Sequence, residues 1–168
     1  MHHNKIKYFN LFTLLTCFLL GFITIGCTDG YCIRNDRGMA NFYFFSKEDT
    51  DTQLILKELT VNAEKTDVIL INKESSVKEI NLPLDESRDS TVYILTYAID
   101  KTTSIQLKDT ITLNYKRSPQ YISAECGTAI YYTLDEKKVR YTKHVIKDLL
   151  IVNPLITEVD AHHINLFF

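Results

Sequence analysis

Apolar and polar residues alternate along most of this chain, the period of a strand whose successive side chains face opposite ways. In Asp109–Tyr115, Ile111, Leu113 and Tyr115 fall on one face and Thr110, Thr112 and Asn114 on the other. Ser90–Ala98 sets Val92, Ile94 and Ala98 against Tyr93, Leu95 and Tyr97; the last residues set Ile164, Leu166 and Phe168 against His163, Asn165 and Phe167. Asn41–Phe45, Thr128–Leu134 and the apolar run Val68–Ile71 read as strands too. Weaker candidates lie at Leu54–Val61, Ser104–Leu107, Val139–His144 and Leu149–Val152. Polar or proline-containing breaks at Asp49–Asp51, Asp85–Asp89, Lys116–Pro119 and Asn153-Pro154 separate them. Short alternating strands so spaced predict an all-β fold, an antiparallel β-sandwich of immunoglobulin-like or related kind, as one domain over residues 39–168. Lys137–Leu150 has an amphipathic-helix reading, which its β-branched residues and lack of a cap oppose.

The first residues depart from this pattern. Lys5 and Lys7 precede an apolar, uncharged run from Tyr8 to Ile25, which ends at Ile23-Thr24-Ile25-Gly26-Cys27. A small residue directly before a Cys, behind an apolar run, resembles a lipobox, although Thr24 stands where Leu is usual. The resemblance implies a lipoprotein signal peptide over residues 1–26, cleavage before Cys27 and lipidation of Cys27, with residues 27–38 as a short tether. An uncleaved membrane helix, for which this run is at the lower limit of length, and ordinary secretion are the alternatives.

Cysteine usage follows from that assignment. Cys17 leaves with the leader and Cys27 is taken by lipid, so Cys32 and Cys126 are expected to pair as a disulfide in an oxidising compartment. Two unrelated buried thiols are the alternative. No C-x-x-C arrangement points to redox chemistry.

Composition narrows the function by exclusion. With 45% hydrophobic and 24% charged residues among 168, the chain is suited to a folded core. Its net charge of -2 gives no basic surface for nucleic acid. No G-x-S-x-G, H-E-x-x-H, P-loop or dinucleotide fingerprint occurs, so no catalytic residue, metal or cofactor is expected. Of the histidines after the leader, His144, His162 and His163, the last two are neighbours that a strand would point apart. A metal site would therefore need His144 with Asp160 or Glu158; surface or strand-end histidines are the simpler reading. Asp49, Asp51 and Gln53 open like a calcium loop, but Leu54 replaces the turn glycine. Asp85, Glu86 and Asp89 crowd a turn whose loop oxygens could bind calcium, with a solvated turn as the simpler reading.

Tyr43, Tyr93, Tyr97, Tyr131 and Tyr132 lie on expected strands. An exposed row could stack on sugar rings, with Tyr93 and Tyr97 as the glycan contacts; core packing is the competing expectation, and the absence of Trp weakens the sugar reading. Asp89-Ser90-Thr91 and Asp109-Thr110-Ile111 resemble the O-glycosylation acceptor motif of exported Bacteroidota proteins, with Ser90 and Thr110 as the acceptors.

A wider resemblance runs along the mature chain. A Cys soon after the lipobox, the Phe42–Phe45 strand, Leu82-Pro83-Leu84, and Ser90-Thr91-Val92-Tyr93 come in order. Tyr115 with Arg117, Cys126-Gly127 within Ser123–Gly127, and His163-Ile164-Asn165-Leu166-Phe167 follow. Together they resemble the small Bacteroidota lipoproteins grouped as a family of unknown function. This implies an envelope lipoprotein, supports the paired cysteines and brings no catalytic residues. The short acidic content after Cys27, only Asp29, favours the periplasmic side of the outer membrane over the cell surface. A non-enzymatic module binding another envelope protein is the leading expectation; a glycan-binding sandwich and an envelope hydrolase with an unfamiliar site are the alternatives.

Overall fold

A computed structural model describes residues 38–64, 66, 68–98, 106–124, 126–157 and 159–168. The expected leader over residues 1–26, Cys27 and Cys32 lie outside these residues. The chain divides into two units, Met1–Cys32 and Ile33–Phe168, and every described residue belongs to the second.

Eleven strands are described: β1 Met39–Phe45, β2 Leu56–Ala63, β3 Ile69–Val77, β4 Glu79–Pro83, β5 Ser90–Ala98, β6 Gln106–Ser123, β7 Gly127–Leu134, β8 Arg140–Tyr141, β9 Asp148–Ile151, β10 Leu155–Ile156 and β11 Ile164–Phe167. They form a four-stranded sheet ordered β4-β1-β11-β9 and a larger sheet ordered β10-β7-β6-β5-β2-β3, with β8 also on β6. All pairs are antiparallel except β1 with β11, which place Phe42 beside Ile164 and Phe44 beside Leu166. The fold is the all-β sandwich that the alternation predicts.

The inward faces follow the period of two. Ala40, Phe42 and Phe44 of β1 and Ile164 and Leu166 of β11 are fully buried, as are Tyr93 and Leu95 of β5 and Ile111 and Leu113 of β6. Rings join the two sheets edge to face: Phe42 meets Tyr93 at 6.1 Å between centroids, and Phe168 meets Tyr97 at 5.7 Å. Gly38 packs so closely on β7 and β10 that an added Cβ would lie 2.7 Å from the Tyr132 ring and 3.2 Å from Ile156.

Three expectations change. Lys116–Pro119 is no loop: β6 runs through it, with Pro119 opposite Ile130. Proline is tolerated there because β5 stops opposite Asn114, leaving β6 paired only with β7 among the described residues. The strand expected at Val139–His144 shrinks to Arg140–Tyr141, since the chain beyond is drawn away by Asp109 (below). Glu79–Pro83, not anticipated, is β4, burying Ile80 and Leu82.

Candidate functional site

Asp109 lies on the inward face of β6 and is almost fully buried. Its Oδ1 accepts from the Thr142 hydroxyl at 2.6 Å and the His144 N–H at 2.8 Å. Its Oδ2 accepts from the N–H groups of Val145 at 2.7 Å and Ile146 at 2.9 Å. Burial pushes this carboxyl up, but the hydrogen bonds from Thr142, Ile146, His144 and Val145 together hold it below the ordinary range. His144 Nδ1 stands 3.4 Å from the same Oδ1, with its side chain 64% exposed. An Asp–His pair is a common catalytic element. Here, however, both carboxylate oxygens hold the 142–146 segment, and the arrangement acts as a clamp.

The outer face of the four-stranded sheet is polar and aromatic. Tyr43 neighbours Glu79 on one side and Asn165 on the other, and Phe45 neighbours Phe167. The His162 ring lies 4.1 Å from that of Tyr43, and its Nε2 is hydrogen-bonded to Asn165 Oδ1. His163 stands at a strand end, directly before β11, but is not at the surface: it is 1% exposed. Its Nδ1 accepts from the Asn41 N–H at 3.2 Å, so the neutral ring carries its proton on Nε2. Burial pulls the His163 imidazole below its usual value. The Asn41 side chain donates to Asp160, while Asn41 Oδ1 lacks a hydrogen-bond partner among the described residues. Asp160 and His144 are thus drawn into different local structures, and Glu158 lies outside the described residues. No group of three or more His, Cys, Asp or Glu able to hold a metal occurs among the described residues.

Tyr93 and Tyr97 also require correction as glycan contacts. They are 0% and 3% exposed. They share the inward face of β5 with Leu95, and Tyr93 donates to the Pro83 carbonyl at 2.8 Å. Rings packed between two sheets cannot stack on a sugar. Tyr115 and Tyr132 are buried as well, edge to face at 5.2 Å. Burial raises the Tyr132 phenol to about 12.

The acidic turn between β4 and β5 is tied into β6. The Asp85 N–H donates to Thr91 Oγ1 at 2.8 Å, and Tyr115 donates to the Asp85 carbonyl at 2.9 Å. Asp85 Oδ1 accepts from the Ser87 N–H and hydroxyl, at 2.8 and 2.6 Å. Arg117 donates to Asp89 Oδ1 at 2.8 Å and to the Glu86 carbonyl at 2.7 Å. The Asp85 and Asp89 carboxylates are therefore engaged by protein donors. Asp49 behaves likewise, accepting from the Thr52 hydroxyl at 2.5 Å and the Asp51 N–H at 3.2 Å. An open cleft of about 880 Å³ beside the turn is bordered by Asp89, Asn114, Arg117, Asp135, Lys138 and Pro154. Two ion pairs lie along it, Arg117 with Asp89 and Lys138 with Asp135 at 3.1 Å.

Cys126 stands at the tip of the β6–β7 hairpin, where its N–H donates to Ser123 Oγ at 3.0 Å and Gly127 turns the chain with φ of 73°. Nearby, Tyr121 is 71% exposed and Ile122 40%. These two escaped the sequence reading because no motif marks them; the scarcity of charge around them is the signal. Ser90 opens β5 and Thr110 lies within β6, both partly exposed, with the Thr110 N–H bonded to Thr142 Oγ1 at 2.9 Å.

No curated protein and no solved structure matches this chain. A family model covers residues 58–168, from within β2 to the last residue, and by that match the chain belongs to DUF6452, a family of unknown function.

Proposed function

We propose that this protein is a lipid-anchored module of the bacterial cell envelope that binds another envelope protein and has no catalytic role. The anchor rests on the charged start, the apolar run and Gly26-Cys27, which would leave the sandwich outside the cytoplasm, on the periplasmic side of the outer membrane. The pairing of Cys32 with Cys126 fits that compartment, and the short segment before β1 resembles the tether of Bacteroidota lipoproteins.

The observation that carries the binding role is the outer edge of β9. On this last strand of the four-stranded sheet Leu150 is 53% exposed, and Val152, just past the strand's end, is 50% exposed. An open edge with apolar side chains is a surface to which a partner's strand can add. An edge of the larger sheet, β3, also exposes Ile69, but Lys73 and Ser76 there have positive φ, which disrupts a continuous ladder. The Asp109–His144 pair, serving as a clamp, supports a binding role over a hydrolytic one.

Metabolic labelling with a fatty-acid analogue tests the anchor, and label retained in Cys27→Ala would overturn it. For the edge, a photo-crosslinking residue at position 150 should capture a discrete envelope protein, and Val152→Lys should abolish the product. Equal capture from a probe at Ile69 would overturn the assignment to β9.

A further inference from the structure

We infer that the tip of the β6–β7 hairpin is a second membrane contact, with Tyr121 and Ile122 seated among lipid headgroups; this rests on the anchor and cysteine pairing proposed above. The hairpin is set apart in both sequence and structure. In a chain with 24% charged residues, Ser118–Leu134 contains a single one, Glu125. β6 extends past the end of β5, so that beyond Asn114 its described strand partner is β7. At the far end of this arm Tyr121 and Ile122 are exposed, where the pairing with β7 shifts register between Tyr121 and Ser123.

Chain length selects the lipid as occupant. Cys27 and Cys32 are five residues apart, a reach of at most about 18 Å. A bridge from Cys32 to Cys126 attaches that tether to the hairpin tip. Tyr121 is two residues from Ser123, whose hydroxyl holds the Cys126 N–H, or about 7 Å along the strand. A folded partner roughly 30 Å across does not fit within so short a tether. The bilayer surface does. A tyrosine ring, apolar with a polar end, is suited to the headgroup layer, and an adjoining isoleucine to the top of the acyl region. Lipid at Cys27 and side chains at the tip would then fix the orientation of the sandwich, which a single flexible tether would not.

The chain contains no Trp, so Tyr121→Trp introduces a unique fluorophore at an exposed position. Ile69→Trp is the control: it is 51% exposed and aligned across the sheet, through Asn62 and Ile94, with Thr110. That is eleven residues before Tyr121, about 36 Å along β6. The full-length lipidated protein would be reconstituted in vesicles of phosphatidylethanolamine and phosphatidylglycerol, with and without lipids bearing a nitroxide near the headgroup. The expected result is blue-shifted emission from position 121, quenched by the nitroxide lipid, with position 69 unshifted and unquenched. Solvent-like, unquenched emission from position 121 in vesicle-bound protein overturns the contact and leaves the anchor intact. A blue shift without quenching places the tip against protein and likewise overturns it. Protein that neither floats with vesicles nor carries fatty acid overturns the anchor, and the contact with it.

Discussion

The hydroxyl of Thr91 and the phenol of Tyr115 lie 2.6 Å apart in the interior of the sandwich. Tyr115 has one proton and gives it to the Asp85 carbonyl, so Thr91 must donate to Tyr115. Thr91 in turn accepts from the Asp85 N–H, which closes a three-membered ring of hydrogen bonds between the β4–β5 turn and the middle of β6. Each group both gives and receives, and none is left unpaired in a buried setting.

Tyr115→Phe should therefore cost more than one ordinary hydrogen bond, because it strands both the Thr91 hydroxyl and the Asp85 carbonyl. A loss of about 1–3 kcal/mol is expected in urea denaturation. Thr91→Val should cost a similar amount, and the double variant clearly less than the sum. Additive losses would show that the ring does not act as a unit.

Asp109 is the strongest single polar hold in the molecule's described core. Asp109→Ala strands the N–H groups of His144, Val145 and Ile146 and should destabilise by about 3 kcal/mol or more. The pH dependence has a definite sign. The folded carboxyl titrates below its ordinary value, so its stabilisation is fully present above about pH 4 and declines as pH falls through the lowered folded value. Denaturation midpoints between pH 5 and pH 2 should fall less steeply for Asp109→Asn than for the wild type, each measured against its own neutral-pH value.

His163 gives a second acid-sensitive window at higher pH. Its folded pKa lies below the ordinary histidine value because of burial, and protonation of Nδ1 would abolish the bond it accepts from Asn41. The unfolded chain binds this proton near pH 6.5 while the fold resists it, so stability should decline as pH drops from about 7 toward 5. His163→Gln, followed by chemical denaturation over that range, should flatten this component at the cost of lower stability at pH 7.

Gly38→Ala should destabilise by about 1–3 kcal/mol, since the new methyl meets the buried Tyr132 ring at 2.7 Å. Thermal unfolding measures it directly. Tyr132→Leu in the same background should recover part of the loss if the clash is the cause, and no recovery would place the cause elsewhere.

The period of two sorted the residues of each strand onto two faces from the amino-acid sequence alone. Ile111, Leu113 and Tyr115 share a buried face, as do Tyr93, Leu95 and Tyr97, because alternation on a pleated strand leaves only two faces to choose between. The same rule does not say which face meets the core when both carry large residues. Tyr93 and Tyr97 could be read as an exposed row for that reason, and packing against Phe42 and Phe168 decided otherwise.

Sequence alone thus determined the class of fold and the grouping of residues by face. It could not determine that the last strand lies parallel to the first, since the pairing of Phe42 with Ile164 joins residues separated by nearly the whole domain. Nor could it place Lys116–Pro119 in a strand, because proline is admitted only where a neighbouring strand is missing, a property of the assembled sheet. Burial of His163 and saturation of Asp109 likewise depend on segments brought in from elsewhere: Asn41 for one, the 142–146 stretch for the other. Local pattern sets what each segment can become, and long-range packing and hydrogen bonding decide what it meets.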